Sequence, residues 1–165
     1  MIKKAEPGDD LLLRDPTADI LDRIGALNRL ATDRHLDVEP IAAGWLTHEM
    51  SIVREEAIQA LLTYLTLEKY VDVALRMLHE DPAWQSRSQA ASSLAFFART
   101  TGKRRPEIAN ALAKAALHDP HRRVVEKAYF GVDFVVSRGN EGPHFIDIPR
   151  EAYDMELLKK LAGEA

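Results

Sequence analysis

The chain has 165 residues, 46% of them hydrophobic and 29% charged, with a formal charge of −4. That apolar content excludes a disordered chain, and the length suits one domain with a substantial core. The absence of cysteine excludes disulfides, thiolate metal sites and a Cys nucleophile, as expected of a protein kept in a reducing, cytoplasmic compartment.

No apolar run approaches the ~20 residues of a membrane span, and Met1–Asp10 carries too many charges for a signal peptide. Residues 1–14 are expected to be a flexible N-terminal segment. The first helix is expected over 16–31, where Ile20, Leu21, Ile24, Leu27 and Leu30 recur at three- and four-residue spacing. A second follows over 38–47, with Asp37 a candidate cap and Pro40 tolerated in its first turn. Further helices are expected over 50–65, 67–79, 82–99, 106–118 and 120–137. After the Gly-rich break Ser137-Arg138-Gly139-Asn140-Glu141-Gly142-Pro143, a short helix over 150–162 is expected to close the open end. Phe145-Ile146-Asp147-Ile148 alternates, but one short stretch makes no sheet. The fold class is therefore all-α, with 15–137 as the main domain and 138–165 as a loop and capping helix.

Self-similarity is the strongest signal in the chain. Arg54-Glu55-Glu56-Ala57-Ile58-Gln59-Ala60-Leu61 aligns with Arg87-Ser88-Gln89-Ala90-Ala91-Ser92-Ser93-Leu94 and with Val125-Glu126-Lys127-Ala128-Tyr129-Phe130-Gly131-Val132. A weaker copy runs from Arg23 to Leu30. Ala26, Ala57, Ala90 and Ala128 are thus spaced by 31, 33 and 38 residues, the period of a helix–turn–helix unit in which one small residue lets two helices approach. Asp15-Pro16, Asp81-Pro82 and Asp119-Pro120 each stand just upstream of an apolar-periodic run. Asp can cap the first turn and Pro at the first helical position loses no hydrogen bond.

The Asp-Pro starts, the Arg-x-x-Ala-x-x-x-Leu cores and the apolar second helices resemble the HEAT and HEAT-like repeat family, including bilin-lyase-like proteins, over roughly residues 15–137. The resemblance implies an α-solenoid of about four helical hairpins in a right-handed superhelix, whose continuous core forms by stacking. It also implies a curved surface that binds another protein, lined by the second helix of each pair. On 67–78, Leu67, Val71, Ala74, Leu75 and Leu78 mark the buried stripe, leaving Glu68, Lys69, Asp72 and Arg76 outward with Tyr70 beside them. On 106–117, Ile108, Leu112, Ala115 and Ala116 are expected inside, leaving Glu107, Asn110, Ala111 and Lys114 outward. Glu68, Tyr70, Asp72, Arg76, Asn110 and Lys114, with Trp84 as a candidate anchor, form the expected partner-binding set.

Two enzymatic relatives of such folds were weighed against the residues. HEAT-like iron hydroxylases hold two metals with His-Glu dyads that directly precede the small core residue. The matching positions here are Glu55-Glu56, Ser88-Gln89 and Glu126-Lys127, whereas His48-Glu49, His79-Glu80 and His118-Asp119 fall in turns. His118 and His121 lack an obvious third ligand, so no metal is expected, nor any other cofactor. HEAT-like DNA glycosylases use aromatic and acidic residues on a basic face, for which Trp45, Trp84, Asp81 and Asp133 are the available counterparts. This is the alternative reading, but the chain is acidic: residues 1–80 carry a balance of −6 and 81–165 only +2. Lys103-Arg104-Arg105 is its densest positive spot, and without a basic groove most nonspecific DNA affinity is forfeited, so nucleic acid is not the expected partner. There is no G-x-S-x-G and no phosphate-cradling Gly loop, and Ser92 and Ser93 are expected to serve close packing. No catalytic residue is assigned, and the expected function is that of a non-catalytic module, a bacterial adaptor or a toxin-neutralising immunity protein.

Overall fold

In the computed structural model, residues 4–136 and 150–164 are described. Helix accounts for 77% of the described residues and no strand forms among them, so the fold is all-helical. The chain divides into two compact units, residues 1–70 and 71–165. The proposed break over 137–143, the alternating stretch 145–148 and His144 lie outside the described residues.

The first unit contains α1 (Asp9–Arg14), α2 (Ile20–Thr32), α3 (Glu39–Trp45) and α4 (Ser51–Ile58). The helix begun by α4 widens into a π-helical turn over Gln59–Tyr64, closed by the Leu65 amide on the Ala60 carbonyl. That wider turn puts Ala60, Leu61 and Leu62 all in the interior, where a continuous α-helix over 50–65 was expected. Leu13, Leu27, Val38, Ala42, Val53 and Leu61 close around the fully buried Ala26 and Ala57.

The N-terminal segment corrects the sequence expectation. Within 1–14, α1 packs against α2 and buries Leu13 completely. Asp9, 4% exposed, takes a two-pronged contact from Arg29, with Nη2 at 2.5 Å and Nε at 2.9 Å. The Arg29 hydrogen bond is the main reason the Asp9 carboxyl sits below the ordinary carboxylate range. A six-residue helix shows no periodicity of its own; this one is held by a partner 20 residues away.

The second unit contains α5 (Val71–Glu80), α6 (Trp84–Thr101), α7 (Arg105–His118), α8 (Arg122–Val136) and α9 (Met155–Ala162). Within it α8 packs on both α6 and α7, α5 packs on α6, and α9 packs on α7. Ala90 and Ala128 are fully buried, together with Leu94 and Phe97 of α6, Ile108 and Leu112 of α7, Val124 of α8 and Leu158 of α9. Gly131 marks the closest approach: a Cβ there would lie 3.1 Å from a Leu112 methyl and 3.2 Å from the Ala95 Cβ. Gly102, with φ 72°, supplies the left-handed residue that ends α6. The C-terminal helix expected over 150–162 is a 3₁₀ turn at Arg150–Ala152 followed by α9, capped by the Asp154 carboxylate accepting from the Leu157 amide at 2.9 Å.

The Asp-Pro pairs work differently from simple helix caps. Each Asp accepts from the backbone N–H two residues on: Thr17 at 2.8 Å, Ala83 at 2.9 Å and His121 at 2.8 Å. These are Asx turns, in which the side chain imitates a backbone turn while Pro fixes φ between them. The helices therefore start later than expected, at Ile20, Trp84 and Arg122, and α2 takes its cap from Asp19. Asp37 likewise caps nothing and pairs with Arg14 at 2.8 Å.

A second recurring device explains the Arg that stands three residues before an anchoring alanine. Arg23 donates to the Leu13 carbonyl at 3.1 Å, Arg54 to the His48 and Glu49 carbonyls at 2.7 and 3.0 Å, and Arg87 to the Asp81 carbonyl at 2.9 Å. Arg54 and Arg87 tie the chain entering a helix back onto that helix, and Arg23 reaches the last turn of α1, each supplying a donor to a carbonyl at or beyond a helix end.

Candidate functional site

The seven expected contact residues separate into two groups. Glu68 and Tyr70 belong to the first unit, in a 3₁₀ turn over Glu68–Tyr70. Tyr70 is half-buried, and its hydroxyl donates to Glu39 Oε1 at 2.7 Å. Burial, reinforced by the Glu39 carboxylate, pushes that phenol up to about 12. Lys69 reaches the same oxygen at 2.5 Å. Tyr70 thus fastens its turn to α3.

The other five lie in the second unit. Asp72 and Arg76 are exposed on α5. Asp72 accepts from Arg104 Nη2 at 2.6 Å, and the same guanidinium takes both oxygens of Glu107 at 2.7 Å. Glu107 and Asp72 together raise the Arg104 pKa. Arg104 holds a left-handed backbone, φ 51°, at the start of α7, and its neighbour Arg105 donates to the Val135 carbonyl. Two of the three cations in the densest positive run are therefore committed to internal contacts.

Trp84 is half-buried and lies flat on the His121 ring, centroids 4.2 Å apart and planes 3° from parallel, with Arg123 5.5 Å from the indole centroid. It joins the start of α6 to the start of α8 and is no exposed anchor. Trp45 is buried in the first unit beneath the Arg23 guanidinium. Asn110 also differs from expectation: its amide donates to the Leu161 carbonyl of α9 at 2.7 Å, and neighbouring Ala111 is buried. The C-terminal helix covers part of the α7 face that the repeat pattern would leave open.

Lys114 lies outward on α7. It is exposed, makes no hydrogen bond or ion pair among the described residues, and borders a cleft of about 460 Å³. The cleft is also bordered by His79 of α5, His118 at the end of α7, Asp119, and Glu164 just beyond α9. Asp119 is fully occupied: Arg87 Nε and Nη2 bind its two oxygens at 2.7 and 3.1 Å, and the His121 amide adds a third donor. The two side chains of this pair are 12% and 6% exposed, and the Asp119 hydrogen bond raises the Arg87 pKa. His118 Nε2 lies 2.8 and 3.0 Å from the two Glu164 oxygens. Desolvation, aided by the Lys114 charge, holds the His79 imidazole below the usual histidine range, so at neutral pH it offers one N–H and one lone pair.

Sequence reasoning missed the Arg87–Asp119 and His118–Glu164 pairs. Their partners are 32 and 46 residues apart, and no local pattern joins them. Among the described residues no group of three His, Asp or Glu side chains is placed to hold a metal ion, and no helix is long and apolar enough to cross a membrane. No protein-family model, curated protein or solved structure matches this chain.

Proposed function

We propose that the chain is a non-catalytic, cytoplasmic helical-repeat module of the HEAT-like type, about four hairpins in a right-handed superhelix, that binds another protein as an adaptor or an immunity protein. The resemblance is supported by three devices, each of which recurs in part of the chain: the Asp-Pro-x turn at Asp15, Asp81 and Asp119, the Arg that returns to a backbone carbonyl at Arg23, Arg54 and Arg87, and the fully buried alanine at 26, 57, 90 and 128.

One observation carries the functional part. Most of the side chains that an enzymatic or nucleic-acid reading would call on are engaged inside the units: Trp45 in the core, Trp84 on His121, Asp81 on the Ala83 amide, and Arg104 on Asp72 and Glu107. What the second unit leaves on offer is exposed helical surface, where Arg76 of α5 and Lys114 of α7 make no hydrogen bond or ion pair among the described residues. Such a face suits noncovalent recognition, where charges at the rim steer the encounter and set specificity.

The test is quantitative affinity capture from the native host, comparing the wild-type chain with an Arg76→Glu/Lys114→Glu variant of unchanged helicity. A protein enriched by the wild type and lost from the variant supports the reading. Enrichment of nucleic acid in place of protein, or of nothing, refutes it.

A further inference from the structure

The cleft beside Lys114 has a one-sided hydrogen-bond inventory. Its carboxylates already have partners: Arg87 and the His121 amide donate to Asp119, and His118 Nε2 lies within hydrogen-bond reach of both Glu164 oxygens. By contrast, neither the Lys114 ammonium nor the His79 ring has a hydrogen bond or ion pair among the described residues. Glu80, adjacent to His79 in sequence, is close enough to act on it electrostatically. A ligand that brings a carboxylate therefore meets two uncommitted donors, the Lys114 ammonium and the His79 N–H.

We infer that this cleft, between α5, α7 and the residues following α9, receives an acidic side chain, Asp or Glu, from a protein partner, with Lys114 as its principal contact and the His79 N–H as the second. The inference rests on the protein-binding function proposed above and names the partner's chemistry. The volume, about 460 Å³, lies within the range of ordinary ligand clefts and admits a carboxylate side chain with part of its backbone. The carboxylate would gain charge-assisted hydrogen bonds without displacing an existing pair. Because Asp119 and Glu164 are held by their own donors, they line the walls without turning toward Lys114, and the ammonium stays available.

The experiment uses the full chain and a fluorescein-labelled hexaglutamate peptide, with anisotropy read at neutral pH and low ionic strength, where exposed charges are least screened. Lys114→Gln is expected to weaken binding by about tenfold or more, the order of one lost hydrogen bond to a charged group, while Lys114→Arg retains it. Circular dichroism confirms that both variants are folded. Peptide binding unchanged in Lys114→Gln, or no binding by the wild type, overturns the inference. So does inorganic phosphate displacing the peptide at equal concentration, which would make the cleft a bare anion site. A captured partner that Lys114→Gln retains fully would end this inference and leave the binding-module reading intact. Failure of that reading shows separately, as no protein captured at all.

Discussion

The Arg87–Asp119 pair ties α6 to the turn that precedes α8, and its removal is the most informative single perturbation. Asp119→Ala deletes both acceptors of the Arg87 fork, at 2.7 and 3.1 Å, and the acceptor of the His121 amide. With side chains 12% and 6% exposed, the pair is little screened, and the orphaned guanidinium keeps only the Asp81 carbonyl. Breaking a buried pair on one side costs about 3–5 kcal/mol, because an uncompensated charge stays behind. The loss of the turn acceptor adds about 1 kcal/mol. A total near 5 kcal/mol corresponds to a fall in Tm of roughly 10–20 °C for a chain of this size. Urea denaturation of the single variants and of Arg87→Met/Asp119→Ala completes a double-mutant cycle. The double variant is expected to be more stable than Asp119→Ala alone, since it removes the stranded charge. A loss below about 1 kcal/mol for Asp119→Ala, the value of an exposed pair, would refute the reasoning.

Three further outcomes are expected. Ala90→Leu, at a fully buried position on α6, should destabilise by about 1–3 kcal/mol through overpacking, read by urea midpoint; an unchanged midpoint would mean the site has room. Leu13→Ala, at the fully buried residue of α1, should cost about 2–5 kcal/mol, and a neutral result would show that α1 does not belong to the core of the first unit. His79 has a folded pKa below its ordinary 6.5, so just below that value the unfolded chain binds more protons. Its contribution is therefore full above the ordinary value and lost as pH falls toward the folded one. His79→Gln should flatten the acid-side decline of Tm, and a decline of wild-type steepness would remove His79 as its source.

Helix content could be read from the chain because the alanine-anchored faces repeat and each buried face needs only local spacing to be seen. The exceptions share a physical cause. The helix α1 depends on Asp9 meeting Arg29, and the coverage of Asn110 depends on Leu161, 51 residues later; neither contact leaves a trace in local periodicity. Asp81 and Asp119 signalled the right places with the wrong geometry, since an Asp before Pro can cap a helix or close an Asx turn, and only the backbone beyond it decides. At the candidate site, Lys114 and Arg76 were found because exposure follows helical phase. Trp84 was ambiguous because stacking on His121 brings together residues 37 positions apart.

The Asp-Pro-x turn has a consequence for how such a chain can change length. In the second unit the interval from the turn's Asp to the buried alanine is nine residues in both copies, Asp81 to Ala90 and Asp119 to Ala128, although the alanines themselves are 38 apart. The joint is a cassette of constant size, and the variation falls in the stretch downstream of the alanine. Growth or trimming of the hairpins between cassettes can therefore proceed while every hinge point keeps its own internal fastening.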